Sequence, residues 1–234
     1  MAHLSESEIA ALDSNHWFAN LQPPLKSAIV DAAQRRRYLD GDRLHAREDA
    51  PTGWYGILTG AVRVSNATTS GSELTLTYLE PGAWFGELSM IDGLPRSHDG
   101  IAVGHTEVLM VQRDAFLRLC AEFPALPMAL LRLLSARIRI MFGAIEDLNF
   151  LPLEARLAKQ LINLAQTYGT MGEDGIEIGL RLPQEDLAQL LGASRQRVNQ
   201  ELKLLERQGW VRARYGQLVV RDLEALKRII QQNT

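Results

Sequence analysis

Cys120 is the only cysteine, so one chain can form no disulfide and ligate no iron–sulfur cluster through cysteines. By itself it reads as a small packed residue, with redox sensing as the minor alternative. Also lacking is any run near the roughly 18 apolar residues that span a bilayer. The opening Met1-Ala-His-Leu-Ser-Glu6 has neither the basic nor the apolar region of a secretion signal, so a cytoplasmic protein without a membrane partner is expected. No strong charge excess is present either. A net charge of −3 excludes a surface coated in positive charge for indiscriminate nucleic-acid binding. No metal-ligand spacing and no nucleophile–base pair stands out, so no metal and no catalytic residue is assigned.

What charge there is divides unevenly. Residues 1–150 hold 13 basic and 18 acidic side chains, giving −5, and residues 151–234 hold 12 and 10, giving +2, so the two halves do different electrostatic work. Cations concentrate from Gly192 to Arg221, where Arg195, Arg197, Lys203, Arg207, Arg212, Arg214 and Arg221 face only Glu201 and Glu206. This cluster overlaps Leu182 to Gly209, which reads as two helices around a glycine turn. At about 100° per residue Val198, Leu202 and Leu205 form one stripe, and Gln196, Asn199, Gln200, Lys203 and Arg207 project from the other side. Gly192 can supply the positive-φ turn and Ser194 the cap, which leaves Arg195 and Gln196 in the first turn of the second helix. Trp210 to Val220 alternates apolar and polar residues about Tyr215-Gly216, as a short wing would, with Arg214 beside the turn. Two amphipathic helices alone could be an ordinary αα-hairpin; the local charge and the wing favour a DNA-reading unit.

Upstream, from about Leu39 to Val111, glycines punctuate short strand-like runs, among them Trp54 to Leu58, Ala61 to Ser65 and Leu74 to Leu79. That spacing suits a roll, barrel or sandwich, preceded by helical segments at Glu8 to Asp13 and Pro24 to Gln34. A further helix starts at Arg113 and is expected to break at Phe123-Pro124 and Pro127. Beyond it Leu131, Leu134, Ile138, Met141, Ile145 and Leu148 recur at spacings of 3, 4, 3, 4 and 3. Such a seam asks for a partner helix, and a DNA-reading helix commonly works in pairs on palindromic sites, so a homodimer is expected; an ordinary core-facing helix is the alternative. Asp147 to Phe150 followed by Pro152 reads as a hinge. The expected domains are 1–124, 125–149 and 150–234.

Pro81-Gly-Ala-Trp-Phe-Gly-Glu-Leu-Ser-Met-Ile-Asp-Gly-Leu-Pro-Arg-Ser97 ends a strand and carries an acid and an arginine nine residues apart. Backbone N–H groups near Gly86 with the Arg96 guanidinium could hold a phosphate, and Glu87 could accept from sugar hydroxyls. The plain alternative is that Glu87 and Arg96 form a salt bridge with each other. An enzyme using Glu87, Asp92 and His98 is a remote one.

The order Tyr55-Gly-Ile-Leu-Thr-Gly60, Leu79-Glu-Pro-Gly-Ala-Trp-Phe-Gly-Glu-Leu88, Pro95-Arg-Ser97 and Leu187-Ala-Gln-Leu-Leu-Gly-Ala-Ser-Arg195 closely resembles the cAMP receptor protein/FNR family of bacterial transcription regulators, from about Pro23 to the C-terminus. The resemblance implies an α+β chain. Its parts would be an N-terminal cyclic-nucleotide-binding-type β-roll (double-stranded β-helix/jelly-roll), a long dimerisation helix and a C-terminal winged helix-turn-helix. It implies an effector site at Gly86, Glu87, Leu88, Ser89, Arg96 and Ser97, with Met141 and Phe142 from the dimer helix, and RNA polymerase as a partner. On the DNA side it places Gln184 on a phosphate and Arg195 on a guanine, while Gln196 and Gln200 stand where the family carries Glu and Arg. Those departures favour adenine or water-bridged contacts at the neighbouring bases. Met141-Phe142 replaces the hydroxyl pair that meets adenine, and His98-Asp99 replaces small residues, which argues against cAMP itself. A cyclic dinucleotide, another small molecule, haem held through a histidine such as His98, or no ligand are the alternatives; no cofactor is assigned.

Overall fold

The computed structural model describes residues 4–67, 73–180, 182–214 and 217–233, without the Arg214 side chain. The chain forms two compact units, Met1–Ile138 and Arg139–Thr234. Among the described residues no helix is long and apolar enough to cross a membrane.

The first unit opens with α1 (Glu6–Ser14), α2 (His16–Ala19) and α3 (Pro23–Ala32). Helix α1 starts in a capping box, with the Ser5 hydroxyl accepting from the Glu8 N–H and the Glu8 carboxylate accepting from the Ser5 N–H at 2.7 Å. The chain continues through β1 (Ala33–Tyr38), β2 (Arg43–His45), β3 (Gly53–Ala67), β4 (Glu73–Leu79), β5 (Trp84–Phe85), α4 (Glu87–Asp92) and β6 (Asp99–Gln112). Two more helices follow, α5 (Arg113–Glu122) and α6 (Ala125–Phe150), of which α6 runs on into the second unit.

All described strand pairs of this unit are antiparallel, in the order β1-β6-β3-β4, with β2 on β6 and β5 on β3. Register shifts near Thr59 interrupt the long β3–β6 pair, and such bulges bend a sheet toward a roll. The core under the roll is aromatic. Trp54 and Trp84 lie with ring centroids 4.3 Å apart, Phe18 stacks on Trp84 at 5.4 Å, and Phe116 meets Trp54 edge-on. Leu12, Leu25 and Ile29 from the leading helices close this core.

Two features differ from the sequence reading. Strand β1 begins at Ala33, inside the stretch expected to be helical, and includes the charge run Arg35 to Arg37. Arg35 is held there by Glu8 at 2.7 Å and by Glu107 of β6 at 2.9 Å. Pro127 does not break α6, because it is the third residue of that helix, where no intrahelical N–H bond exists to be lost. On α6, Leu126, Ala129 and Leu130 are buried, whereas Leu131, Ile138, Met141, Ile145 and Leu148 are about half or more exposed and Leu134 is half-buried.

The second unit carries α7 (Leu153–Tyr168), β7 (Gly169–Gly172), β8 (Gly175–Ile178), α8 (Gln184–Leu190), α9 (Arg195–Arg207), β9 (Val211–Arg214), β10 (Gln217–Val220) and α10 (Leu223–Gln231). Its four strands form one antiparallel sheet in the order β7-β8-β10-β9, so the wing pairs with a hairpin that the sequence reading did not foresee. Leu157 and Leu161 of α7, Val198 and Leu205 of α9 and Leu226 of α10 are fully buried. The turn at Tyr215-Gly216 lies outside the described residues.

Candidate effector cavity and nucleic-acid interface

Strand β5 ends at Phe85, and Gly86 reverses the chain at φ +88° into α4. A Cβ at Gly86 would lie 2.8 Å from Arg96 Nη1 and 3.3 Å from the Gly53 carbonyl, so both the left-handed turn and the close packing require glycine. Beside this turn is a cavity of about 190 Å³. Val64, Thr77, Leu79, Phe85 and Leu88 give it apolar surface, and His45, Glu87, Ser89, Arg96, Ser97, His98 and Arg137 give it polar surface.

Glu87 and Arg96 are nearly fully buried here, at 1% and 2% exposure, yet no ion pair joins them among the described residues. The Arg96 guanidinium donates to the Gly86 carbonyl at 2.8 Å and to the Gly53 carbonyl. It lies 5.6 Å from the Tyr55 ring centroid, and its Nε–H has no partner among the described residues. Burial pulls Arg96 below the usual guanidinium range, opposed by Tyr55, Glu87 and Asp49; an arginine nonetheless stays charged. Glu87 accepts from Arg137, which also donates to the Trp84 carbonyl, and the second Glu87 oxygen is unpartnered among the described residues. Arg96 Nε and one Glu87 oxygen are thus both buried and without a partner among the described residues.

Of the other residues named from the sequence, Leu88 lines the cavity and Ser89 is buried, its hydroxyl donating to the Pro95 carbonyl at 3.3 Å. Ser97 is exposed, with its hydroxyl 2.9 Å from His98 Nδ1. Met141 and Phe142 are both mostly exposed on α6. Sequence reasoning missed Arg137 and His45. Nothing local in the sequence ties Arg137 to an acid fifty positions earlier.

In the second unit Gln184 is the exposed first residue of α8. Gly192 makes the α8–α9 turn at φ +60°, where a Cβ would lie 2.9 Å from Leu148 Cδ2. The Ser194 hydroxyl then caps α9 by accepting from the Arg197 N–H at 3.4 Å. Replacing Ser194 with Ala should lower stability by about 1 kcal/mol, read as an earlier urea midpoint at unchanged slope. Val198, Leu202 and Leu205 are buried, and Arg195, Gln196, Asn199, Gln200 and Lys203 line one surface depression on the same helix. Arg197 is exposed outside that set. Two cations of the sequence cluster are engaged elsewhere, since Arg212 and Arg221 both pair with Asp174, the latter at 3.3 Å. The Glu206 carboxylate accepts from the Ala213 N–H at 2.7 Å and fastens α9 to the wing. The Arg214 side chain lies outside the described residues.

A charged cavity in a β-roll and a polar helix face on a winged helix-turn-helix, in one chain, define a DNA-binding transcription regulator under effector control. The cyclic nucleotide-binding domain family matches residues 35–123, and the Crp-like helix-turn-helix domain family matches residues 155–229. A CRP-like cAMP-activated global transcriptional regulator of Mycobacterium tuberculosis is 32% identical over 90% of this chain and 94% of its own length. A cyclic AMP receptor protein of Thermus thermophilus is 31% identical over 91% and 95%. Among solved structures, a CRP/FNR-family transcriptional regulator from Thermus thermophilus, TTHA1359, superposes with a TM-score of 0.73 at 25% identity, covering 86% of this chain and all of that one. The chain belongs to the CRP/FNR family of transcription regulators.

Proposed function

We propose that the protein is a cytoplasmic homodimer that reads a palindromic duplex site and works with RNA polymerase, under control of a cyclic nucleotide-type effector bound in the roll cavity. The observation that carries the effector reading is the burial of Glu87 and Arg96 at one cavity, each with a polar atom unused by the protein. Buried charge is costly and serves no core purpose, whereas a ribose hydroxyl and a cyclic phosphate would complete both groups. Names of relatives support the class, two of them being a cAMP-activated regulator and a cyclic AMP receptor protein. Met141 and Phe142 supply no hydroxyl for a purine edge, so base preference should differ from that of a site with two hydroxyls there. Dimerisation rests on the exposed apolar positions of α6, and the half-sites should then lie about one helical turn, roughly 34–36 Å, apart. No reaction is proposed at the cavity: Glu87 is tied to Arg137, and the Asp92 carboxylate accepts from the Leu94 N–H at 2.9 Å.

Titrating labelled operator DNA with and without cAMP, cGMP and cyclic di-GMP tests this. One of them should change DNA affinity by about 5- to 150-fold, the range usual for coupling between two sites. A population shift needs such a differential, so equal affinity under every nucleotide would sink the effector reading.

One observation favours a second reading. Arg96 already donates to two backbone carbonyls and Glu87 already holds Arg137, so the cavity is largely self-satisfied. In that case the roll is a scaffold and DNA binding is independent of ligand. Melting temperatures unmoved by every nucleotide, with DNA affinity intact, are its expected outcome.

A further inference from the structure

The main chain at Arg96 is held on both sides by one turn. The Glu48 N–H donates to the Arg96 carbonyl at 2.8 Å, and the Arg96 N–H donates to the Asp49 carbonyl at 2.8 Å. The turn that supplies both partners also closes on itself. Asp49 donates its N–H to the Ala46 carbonyl at 3.2 Å, and its carboxylate accepts from the Ala46 N–H at 2.7 Å. Inside the turn Glu48 has φ +68°, and among the described residues it is the one non-glycine with a positive φ. A residue held in that region is strained and persists there only where its surroundings fix it.

From the sheet side the turn is fixed by Asp99, the first residue of β6. Asp99 is only 7% exposed, and its carboxylate accepts from the Arg47 N–H at 2.9 Å. Arg43 stands off at 4.0 Å with an exposed side chain, so that ion pair adds little. Taking a carboxylate out of water is costly, and here it is offset by a charge-assisted bond to a main-chain N–H. Segments 46–49 and 96–99 are thus joined at three points: the Arg96 N–H, the Arg96 carbonyl and the Asp99 carboxylate.

We infer that Asp99 is a positioning residue for effector binding, which pins the Ala46–Asp49 turn and through it the main chain from which the Arg96 guanidinium reaches the cavity. This rests on the effector reading above. The guanidinium meets the Gly86 and Gly53 carbonyls only if its stem starts from the right place. Without Asp99 the strained turn relaxes, Arg96 moves with it, and a phosphate must order the side chain as it binds. A group fixed in advance spares the ligand that cost.

The test is calorimetric titration of the full chain with cAMP, cGMP and cyclic di-GMP, together with arginine-selective NMR of the Arg96 Nε–H, assigned by Arg96→Lys. Asp99→Ala should weaken whichever nucleotide binds by about tenfold, inside the roughly 2- to 150-fold that residues of one hydrogen-bond network share. Hydrogen exchange at the Arg96 Nε–H should quicken in the ligand-free variant as well. Asp99→Asn keeps an acceptor for the Arg47 N–H without the charge, and a charged bond is about twice as strong as a neutral one, so its loss should be about threefold. Should Asp99→Ala not fold, Asp99→Asn decides alone. Ile29→Val trims the buried core of the same unit away from the turn and should move neither readout. Affinity and Nε–H exchange unchanged in the Asp99 variants, or changed as much in Ile29→Val, overturn the role of Asp99 and leave the effector reading standing. If no nucleotide binds the unaltered protein, the effector reading falls and this inference falls with it.

Discussion

Arg96→Ala should remove the effector response while leaving a folded, DNA-binding dimer. Truncating one partner of a buried, hydrogen-bonded charge interaction weakens binding by about 2 to 5 kcal/mol, roughly 30-fold to several thousandfold. The loss should appear as a nucleotide-induced melting shift that vanishes at concentrations saturating the unaltered protein. Stability must be separated from affinity here, because the same substitution strands the Gly86 and Gly53 carbonyls that the guanidinium now satisfies. Each stranded carbonyl costs about 1–3 kcal/mol, so the melting temperature of the ligand-free variant should fall as well. Arg96→Lys is the informative companion. It keeps the charge but has no planar fork to serve two carbonyls and a phosphate together, so it should recover part of the stability and little of the affinity. A variant Arg96→Ala that binds nucleotide as tightly as the unaltered protein would remove the phosphate role and favour the scaffold reading.

Local pattern made the reading helix legible. The stripe of Val198, Leu202 and Leu205, the Gly192 turn and the Ser194 cap are all set by neighbours within a few positions, and each is where the local rules put it. The cavity was legible only as ingredients. Glu87 and Arg96 sit nine positions apart in one loop, and their sequence proximity suggested a bond between them. In the fold Glu87 instead takes Arg137 from α6, and Arg96 takes carbonyls at Gly86 and Gly53. Most of these partners come from other elements, and no periodicity encodes them. The same limit hid β1, whose arginines look solvated until Glu8 and Glu107 arrive from elsewhere in the chain. It also hid the β7–β8 hairpin, which is short, glycine-containing and joined to the wing through β10.

Arg195 should carry sequence discrimination, and Lys203 should not, although both border the same exposed depression on α9. Arg195 is the first residue of the helix after the Ser194 cap, the end that a recognition helix presents to base edges. Its fork matches guanine O6 and N7 together, and losing that pair costs about 1–3 kcal/mol at one base position, roughly 5- to 150-fold. Arg195→Ala should therefore flatten preference at one guanine in each half-site and leave non-specific affinity nearly intact. Lys203 lies two turns further along, where a point charge suits phosphate. Its loss should weaken every sequence alike and reduce the magnitude of the salt-dependence slope by about 1. Selection from random DNA at two salt concentrations, with the unaltered protein and each variant, distinguishes the two roles. Uniform weakening by Arg195→Ala would make it a phosphate contact and move base reading to Gln196, Asn199 and Gln200. Their amides favour adenine, so the selected site should then lose its guanine dependence altogether and keep an adenine preference at the neighbouring positions.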